Sequence, residues 1–315
     1  MIESYPSGCP LSDISKVHDL HKFSHEAMAT TFEVFIVSKD FSLAQQASFA
    51  AFELLDRLES KLSRFLENSE IFQINLLQPG QSLVVGPEAF ECLCLSSELF
   101  KQTEGAFDVT IGLLIDLSVD DALQSEIIQK TGMDLIETDR EKHIVKMLSS
   151  AVNVDLGGIG KGFALDKMAA LLADWDIKAA LLSCSSTVLA LGFPDILDGW
   201  PLTFTNPATG KIFTRWNLKN GSVSSSGIQK SEHIVDPRTG LPVAGRIAAW
   251  SYADSAANAD ALSTAFMIMS QVKIKSFCRN FPDTSALIIE HTKGKRRDVN
   301  KILRFPGIFQ SLQLL

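Results

Sequence analysis

The sequence contains no apolar run approaching the roughly twenty residues of a membrane-spanning helix. Met1 to Leu20 hold no hydrophobic stretch of signal-peptide length, and none precedes Cys9 to mark a lipid anchor. The expectation is a cytoplasmic chain without stable membrane insertion. Clustered positive charge is scarce as well. Lys295-Arg296-Arg297, just after His291-Thr292-Lys293-Gly294, is the one basic group and reads as a solvated turn. With a net charge of -8 and a pI near 5.3, no nucleic-acid partner is expected. The five cysteines (Cys9, Cys92, Cys94, Cys184 and Cys278) are odd in number, irregularly spaced and form no CxxC pair. That argues against a disulfide framework and a zinc site, and fits a reducing compartment. Repeats, low-complexity blocks and Pro/Gly/Ser-rich linkers are also missing, which favours one compact unit.

What is present is an ordinary globular mixture: 315 residues, 46% hydrophobic and 21% charged. A chain of this size can bury roughly three quarters of the surface it exposes when unfolded. Residues 1–24 read as an N-terminal arm; His18 and His21 in it and His25 just beyond, near Cys9, are either solvated or metal-binding. Thr31–Val37 reads as a strand from its β-branched and aromatic residues. Ser42 with Gln45 has the form of a capping box, ahead of Ala47, Leu54, Leu58, Leu62 and Phe65 at helical spacing. Pro87 can open the next helix, which runs toward Gly105. Strands are predicted at His143–Met147, Val152–Leu156, Ala179–Ser183 and Val188–Leu191. Helices are predicted at Phe163–Leu172 and at Asp260–Ser270, the latter with Asn258 as N-cap. Alternating strands and helices indicate an α/β or α+β fold.

Four local patterns could carry chemistry. Asp155-Leu156-Gly157-Gly158-Ile159-Gly160-Lys161-Gly162 follows a predicted strand and opens a helix, where backbone N–H groups attract anions. Its spacing is neither a Walker A loop nor GxGxxG, so a plain tight turn is the alternative. Asp260 and Thr264 stand four apart on one helix face, a carboxylate and a hydroxyl suited to a hard cation, or else a cap and a self-bonded Thr. His233 precedes the Asp236-Pro237-Arg238-Thr239-Gly240 turn and has the titration range of a general base. Gly105-Ala106-Phe107-Asp108-Val109-Thr110 ends a helix and sets an aromatic ring beside an acid, for ligand stacking or for core packing.

Together, and in their order along the chain, these motifs resemble the FAD:protein FMN transferase (ApbE) family. Met28-Ala29-Thr30-Thr31-Phe32 is similar to the family's "MGT-x-F". Leu62-Ser63-Arg64-Phe65, Ser69-Glu70 and Asn75 are similar to "S-x-Y … S-E … N". Gly105–Thr110 is similar to "GAFD-x-T", and Asp155–Gly162 to "DLG-[GA]-IAKG" with Asp166 following. Ser226-Gly227 and His233–Gly240 are similar to "SG … H-I-[IV]-D-P-x-T-G", and Ala259–Ala265 to "AD-A-x-[AS]-TA".

The resemblance implies a single compact α/β (α+β), ApbE-like and T-fold-related domain over 25–315, with mixed sheets flanked by helices. It implies Mg²⁺-dependent transfer of FMN from FAD to a Thr or Ser hydroxyl of a flavin-acceptor protein, with release of AMP. The metal ligands would be the Gly158 carbonyl, Asp260 and Thr264. The nucleotide would touch Met28, Phe65, Ala106, Phe107, Asp108, Asp155, Lys161 and Val235, and His233 would be the base. Some positions depart from the pattern. The family's "GGD" falls at Ser185-Ser186-Thr187, Phe65 replaces a Tyr, Gly160 replaces an Ala, and "SGDY" reads Ser226-Gly227-Ile228-Gln229. The departures keep two rivals in view: an FAD pyrophosphatase giving FMN and AMP, and a non-catalytic flavin-binding or assembly protein.

Overall fold

The computed structural model describes residues 14, 17–116, 121–227, 234–292 and 299–315. The chain divides into two compact units. The first comprises Met1–Asp56, Lys161–Lys230 and Gly245–Leu315; the second comprises Arg57–Gly160 and Ser231–Ala244.

The first unit is built on an eight-stranded sheet. Its strands are β1 (Leu20–Ala27), β2 (Thr30–Val37), β6 (Ala180–Cys184), β7 (Thr187–Leu191), β10 (Gly221–Gly227), β11 (Arg246–Ala253), β12 (Ser285–Thr292) and β13 (Val299–Arg304), in that spatial order. Every pairing is antiparallel. β1 and β2 form a hairpin with a two-residue turn, Met28 at φ 49° and Ala29 at φ 57°. Two consecutive left-handed residues are what a type I′ turn needs, and they match the twist of the strands.

Side chains alternate across a strand, so the sheet has two differently furnished faces. One carries aromatic and aliphatic residues. Phe35, Val223, Trp250 and Leu287 form a core with Trp200, Phe204 and Phe213 from a separate hairpin, β8 (Trp200–Thr205) and β9 (Ile212–Leu218). The other face receives α7 (Ala256–Ile268), which packs on β7, β10 and β11. α6 (Gly160–Asp174) and α8 (Gln271–Asn280) complete the helices of this unit, and α1 (Phe41–Leu62) begins in it.

α7 is fixed at both ends by buried charge. Asp166 of α6 accepts from the Ala256 and Ala257 N–H groups at 2.7 and 2.9 Å, and Ser255 caps Asn258 N–H at 3.1 Å. At the other end the Arg246 guanidinium donates to the Phe266 and Met269 carbonyls and lies 3.4 Å from Glu290. An acid at the helix N-terminus and a cation at the C-terminus both complement the helix dipole. Burial pushes the Asp166 carboxyl above its ordinary range, against the bonds from Ala257 and Ala256, and pulls the Arg246 guanidinium below its own.

The second unit holds the end of α1, α2 (Glu70–Asn75), α3 (Pro87–Gln102), α4 (Gly112–Asp116), α5 (Asp121–Gln129) and a three-stranded antiparallel sheet. The strands of that sheet are β3 (Ser82–Val84), β5 (Ile144–Met147) and β4 (Ile136–Asp139), in that order. Leu58, Ile71, Ile74 and Leu93 are fully or almost fully buried within it.

Several expectations shift. Leu20–Ser24, placed in an arm, are paired residues of β1. His21 there meets the Ser38 carbonyl at 2.9 Å, and His25 meets Asp56 at 2.7 Å while stacking on Phe52. The cap of α1 is Asp40, whose carboxylate accepts from Leu43 N–H at 3.1 Å; Ser42 lies inside the helix and accepts from Gln46. Phe65 lies beyond that helix. Val152–Leu156 forms only an isolated bridge, Asn153 to Ile111, rather than a strand. Ser255, not Asn258, caps α7. Cys92, Cys94, Cys184 and Cys278 are free thiols. Cys9 and the basic cluster at 295–297 lie outside the described residues.

Candidate functional site

Asp260 is the most unusual group in the first unit. It stands in the second turn of α7 with its carboxylate turned to the sheet, 7% exposed. Gly162 N–H, Thr187 Oγ1 and Ser224 Oγ surround it at 3.2, 3.2 and 3.4 Å. Burial pushes its carboxyl above the ordinary range, opposed by the positive charge of Lys161 and by these hydrogen bonds. Desolvation outweighs both the Lys161 charge and these long hydrogen bonds, so the carboxylate is incompletely compensated. A cation beside it would supply the missing stabilisation. All the side-chain donors bonded to it are oxygens, the set a hard divalent ion takes. Thr264, one turn further on, joins the same hydroxyl cluster through Ser226 Oγ at 3.3 Å. Asp260 and Thr264 therefore share a helix face, and the residue types fit the expected ion.

The close approach of α6 to α7 depends on Gly162. A Cβ there would sit 2.2 Å from the Ala256 carbonyl oxygen. Lys161, beside it, is near enough to lower the titration of both Asp260 and Cys184. Cys184 is itself buried, and the burial raises its thiol far above the ordinary value. Met28 occupies the left-handed turn of the first hairpin.

The remaining predicted residues belong to the second unit. Asp155 accepts from Gly157 N–H at 2.7 Å and faces Arg64 Nε at 3.1 Å, both side chains largely buried. Gly158 lies in the tight turn where the Leu156 carbonyl takes the N–H groups of Ile159 and Gly160. Phe65 is 77% exposed with the Arg64 guanidinium 4.6 Å from its ring centre. An exposed ring of this kind can stack on a planar ligand from the side that the guanidinium leaves open. Ala106 and Phe107 are buried, Phe107 at 4% exposure, so the core-packing reading describes that ring here. Asp108 accepts from Thr110 N–H and Oγ1 at 2.8 and 2.7 Å; burial still holds its carboxyl above the ordinary range.

The Asp236–Gly240 turn is closed by its own hydrogen bonds. Asp236 receives two parallel bonds from Arg238, each 2.8 Å, and its carbonyl takes the Thr239 and Gly240 N–H groups. Burial would raise the Asp236 carboxyl, yet the Arg238 pair wins and holds it low. Val235 bridges to Pro242 across this turn. His233 lies outside the described residues.

Five positions around these residues are given no role by the sequence. Ser224 and Ser226 on β10 and Ser263 on α7 line Asp260 and Thr264; Ser226 and Ser263 read only as motif letters, because buried serines carry no periodic hydrophobic signal. Arg246 holds the far end of α7 and sits in no motif. Asn75, recognised only as a motif letter, donates to the Val154 carbonyl at 3.0 Å and accepts its N–H at 2.6 Å, which fixes the chain entering the glycine turn.

Residues 28–288 match the ApbE family, most of the chain. The chain belongs to the ApbE family. It is 27% identical over 248 residues to the FAD:protein FMN transferase of Buchnera aphidicola subsp. Schizaphis graminum, covering 70% of this chain and 72% of that protein. It is 28% identical over 247 residues to the FAD:protein FMN transferase of Chlamydia muridarum, covering 71% and 76%. The crystal structure of the ApbE protein from Thermotoga maritima superposes with a TM-score of 0.81 at 25% identity, covering 91% of this chain and 97% of that one. The apo flavinyl transferase ApbE of Pseudomonas stutzeri has the same fold, with a TM-score of 0.81 at 21% identity.

The β6–β7 turn carries the Ser185-Ser186-Thr187 departure from the motif. Ser185 and Ser186 close a two-residue loop between the paired residues Cys184 and Thr187. Ser185 holds φ 50°, a left-handed conformation that glycine adopts without cost. Thr187, at the position of the motif's acid, gives Asp260 a donor where a second carboxylate would repel it.

Proposed function

We propose that this ApbE-family chain is an FAD:protein FMN transferase that moves FMN from FAD to a Thr or Ser hydroxyl of a partner protein. In that reaction the acceptor oxygen bonds to the FMN phosphorus. The pyrophosphate P–O bond breaks, AMP leaves with the bridging oxygen, and the hydroxyl proton passes to His233. The buried Asp260 carboxylate, set among hydroxyls and only partly compensated by Lys161, is the observation that best supports a Mg²⁺-dependent reaction. Asp260, Thr264 and the Gly158 carbonyl are the ligands we assign. When bound, Mg²⁺ would offset negative charge building toward AMP. Phe65 offers a stacking face to the flavin. Met28, Asp108, Asp155, Lys161 and Val235 are the other nucleotide contacts we assign, with the motif's Ala106 and Phe107 packed in the core behind Asp108, and Lys161 adds positive charge for the phosphates. His233, neutral before the reaction, takes the acceptor proton, a role typically worth about 10²–10⁴-fold.

The test is incubation of the pure chain with FAD, MgCl₂ and a flavin-acceptor protein, followed by nucleotide analysis and mass measurement of the acceptor. AMP released in step with a covalently flavinylated acceptor is the expected result. FMN and AMP in equal amounts without flavinylation would make the chain a pyrophosphatase, and intact FAD would make it a binder.

A further inference from the structure

A chain of hydroxyl groups runs between the Thr264 side chain and the Asp260 backbone carbonyl. Ser263 Oγ lies 2.9 Å from the Asp260 backbone carbonyl, and Ser226 Oγ lies 2.8 Å from Ser263 Oγ. Thr264 Oγ1 lies 3.3 Å from Ser226 Oγ. Thr187 Oγ1 and Ser224 Oγ, 2.8 Å apart, close a second branch on the Asp260 carboxylate.

Each hydroxyl has one proton and two lone pairs, whereas a carbonyl can only accept. The Asp260 carbonyl therefore takes the Ser263 proton. Ser263, with its proton spent, must accept from Ser226. Ser226, with its own proton spent, must accept from Thr264. The order is set by the one terminus that has no proton to give.

We propose that Ser226 and Ser263 are positioning residues that turn the Thr264 proton inward and leave its lone pairs free for the cation. This rests on the metal reading above. The need is physical: a hydroxyl coordinates a cation through oxygen, and a proton pointing at the ion is repelled. Without Ser226, the acceptor that remains for Thr264 is the carbonyl four residues back, Asp260, the usual self-bond of a helical threonine. That carbonyl already holds Ser263, so the rotor loses its fixed direction. β10 is suited to this task. Ser222, Ser224 and Ser226 alternate toward α7 while Val223 enters the aromatic core.

The control lies on the same strand. Ser222 is buried like Ser224, but its hydroxyl ends on the Val188 carbonyl at 2.8 Å and takes no part in the chain. Wild type, Ser226→Ala, Ser226→Thr and Ser222→Ala are titrated with MgCl₂ by calorimetry, and each is melted without metal. Ser226→Ala is expected to bind Mg²⁺ about threefold to tenfold more weakly, the worth of one neutral hydrogen bond. Ser226→Thr, which keeps the hydroxyl, restores affinity. Ser222→Ala lowers the melting temperature and leaves Mg²⁺ affinity at the wild-type value. Equal Mg²⁺ affinity in Ser226→Ala and wild type overturns the proposal. So does an equal loss in Ser222→Ala, which would make the effect one of general stability. Absence of saturable Mg²⁺ binding in wild type overturns the metal reading itself.

Discussion

Replacement of Gly162 by Ala tests the helix contact that places Asp260. The added Cβ would lie 2.2 Å from the Ala256 carbonyl oxygen, 2.5 Å from its carbon and 2.8 Å from the Ala257 Cα. Carbon and oxygen ordinarily approach no closer than about 3.3 Å. The two helices must therefore separate by about 1 Å, because the obstacle is backbone and cannot rotate aside. The first turn of α7 is also held by Asp166 through bonds of 2.7 and 2.9 Å, so the same displacement strains both. Overpacking typically costs about 1–3 kcal/mol. With the weakened carboxylate bonds added, a loss near the top of that range is expected. At about 2–4 °C per kcal/mol for a domain of 150–250 residues, the melting temperature should fall by about 6–10 °C. Gly160 supplies the comparison: a Cβ there meets nothing nearer than Leu156 Cβ at 3.5 Å, so Gly160→Ala should melt within about 2 °C of wild type. Calorimetry on the two variants decides. A Gly162→Ala protein as stable as Gly160→Ala would refute the close approach, and with it the account of how Asp260 is placed.

Other changes have distinct signatures. Ala29→Gly relieves a left-handed residue in the first hairpin and should stabilise by about 0.5–1 kcal/mol, read by urea unfolding; a loss of stability would contradict the turn geometry. Arg246→Met strands the Phe266 and Met269 carbonyls and leaves Glu290 with its Gln271 hydrogen bond but no cation, so about 3 kcal/mol should be lost; a change below about 0.5 kcal/mol would show that the guanidinium does not hold the helix end. Asp108 has a folded-state titration raised by burial, so the folded chain keeps its proton to higher pH than the unfolded chain does. Its contribution is full below the ordinary carboxyl range and is lost as pH rises through the folded value. Asp108→Asn keeps an oxygen for both Thr110 donors and removes the buried charge. The variant should therefore melt above wild type at pH 7, with the gap shrinking toward pH 4; a gap that widens on acidification would reverse the assignment.

The parts of the fold legible in the sequence are those with a period or a terminator. Helix α3 was readable because Pro87 opens it and Gly105, at φ 75°, follows its end. Strands β6 and β7 were readable as apolar runs. β10 was not, because Gly221-Ser222-Val223-Ser224-Ser225-Ser226-Gly227 has a single apolar residue. Its buried face is hydroxyl-bonded rather than hydrophobic, a pattern that looks like a loop. The capping errors share one cause: Ser42 and Asn258 are good caps, but Asp40 and Ser255 are equally good and lie where the chain turns. In the site, Asp260 and Thr264 were legible from i, i+4 spacing on a helix. The serines joining them come from β10 and from α7 itself, and only strand pairing brings them together. Phe107 and Phe65 look alike as letters, yet one is core and the other is exposed, a difference decided by tertiary packing alone.

Asn75 and Arg64 have a bearing on how the chain folds. β2 pairs with β6 across about 140 residues of sequence, a long loop to close before any ladder bond repays it. Asn75 grips the Val154 backbone across 79 residues of that interval, and Arg64 meets Asp155 just outside it. Once those contacts form, the interval behaves as a loop about half as long. Halving a loop lowers its closure entropy by about 0.6 kcal/mol at 25 °C. A broken Asn75 grip should therefore act on the folding rate as well as on the unfolding rate, through the search that brings β6 to β2.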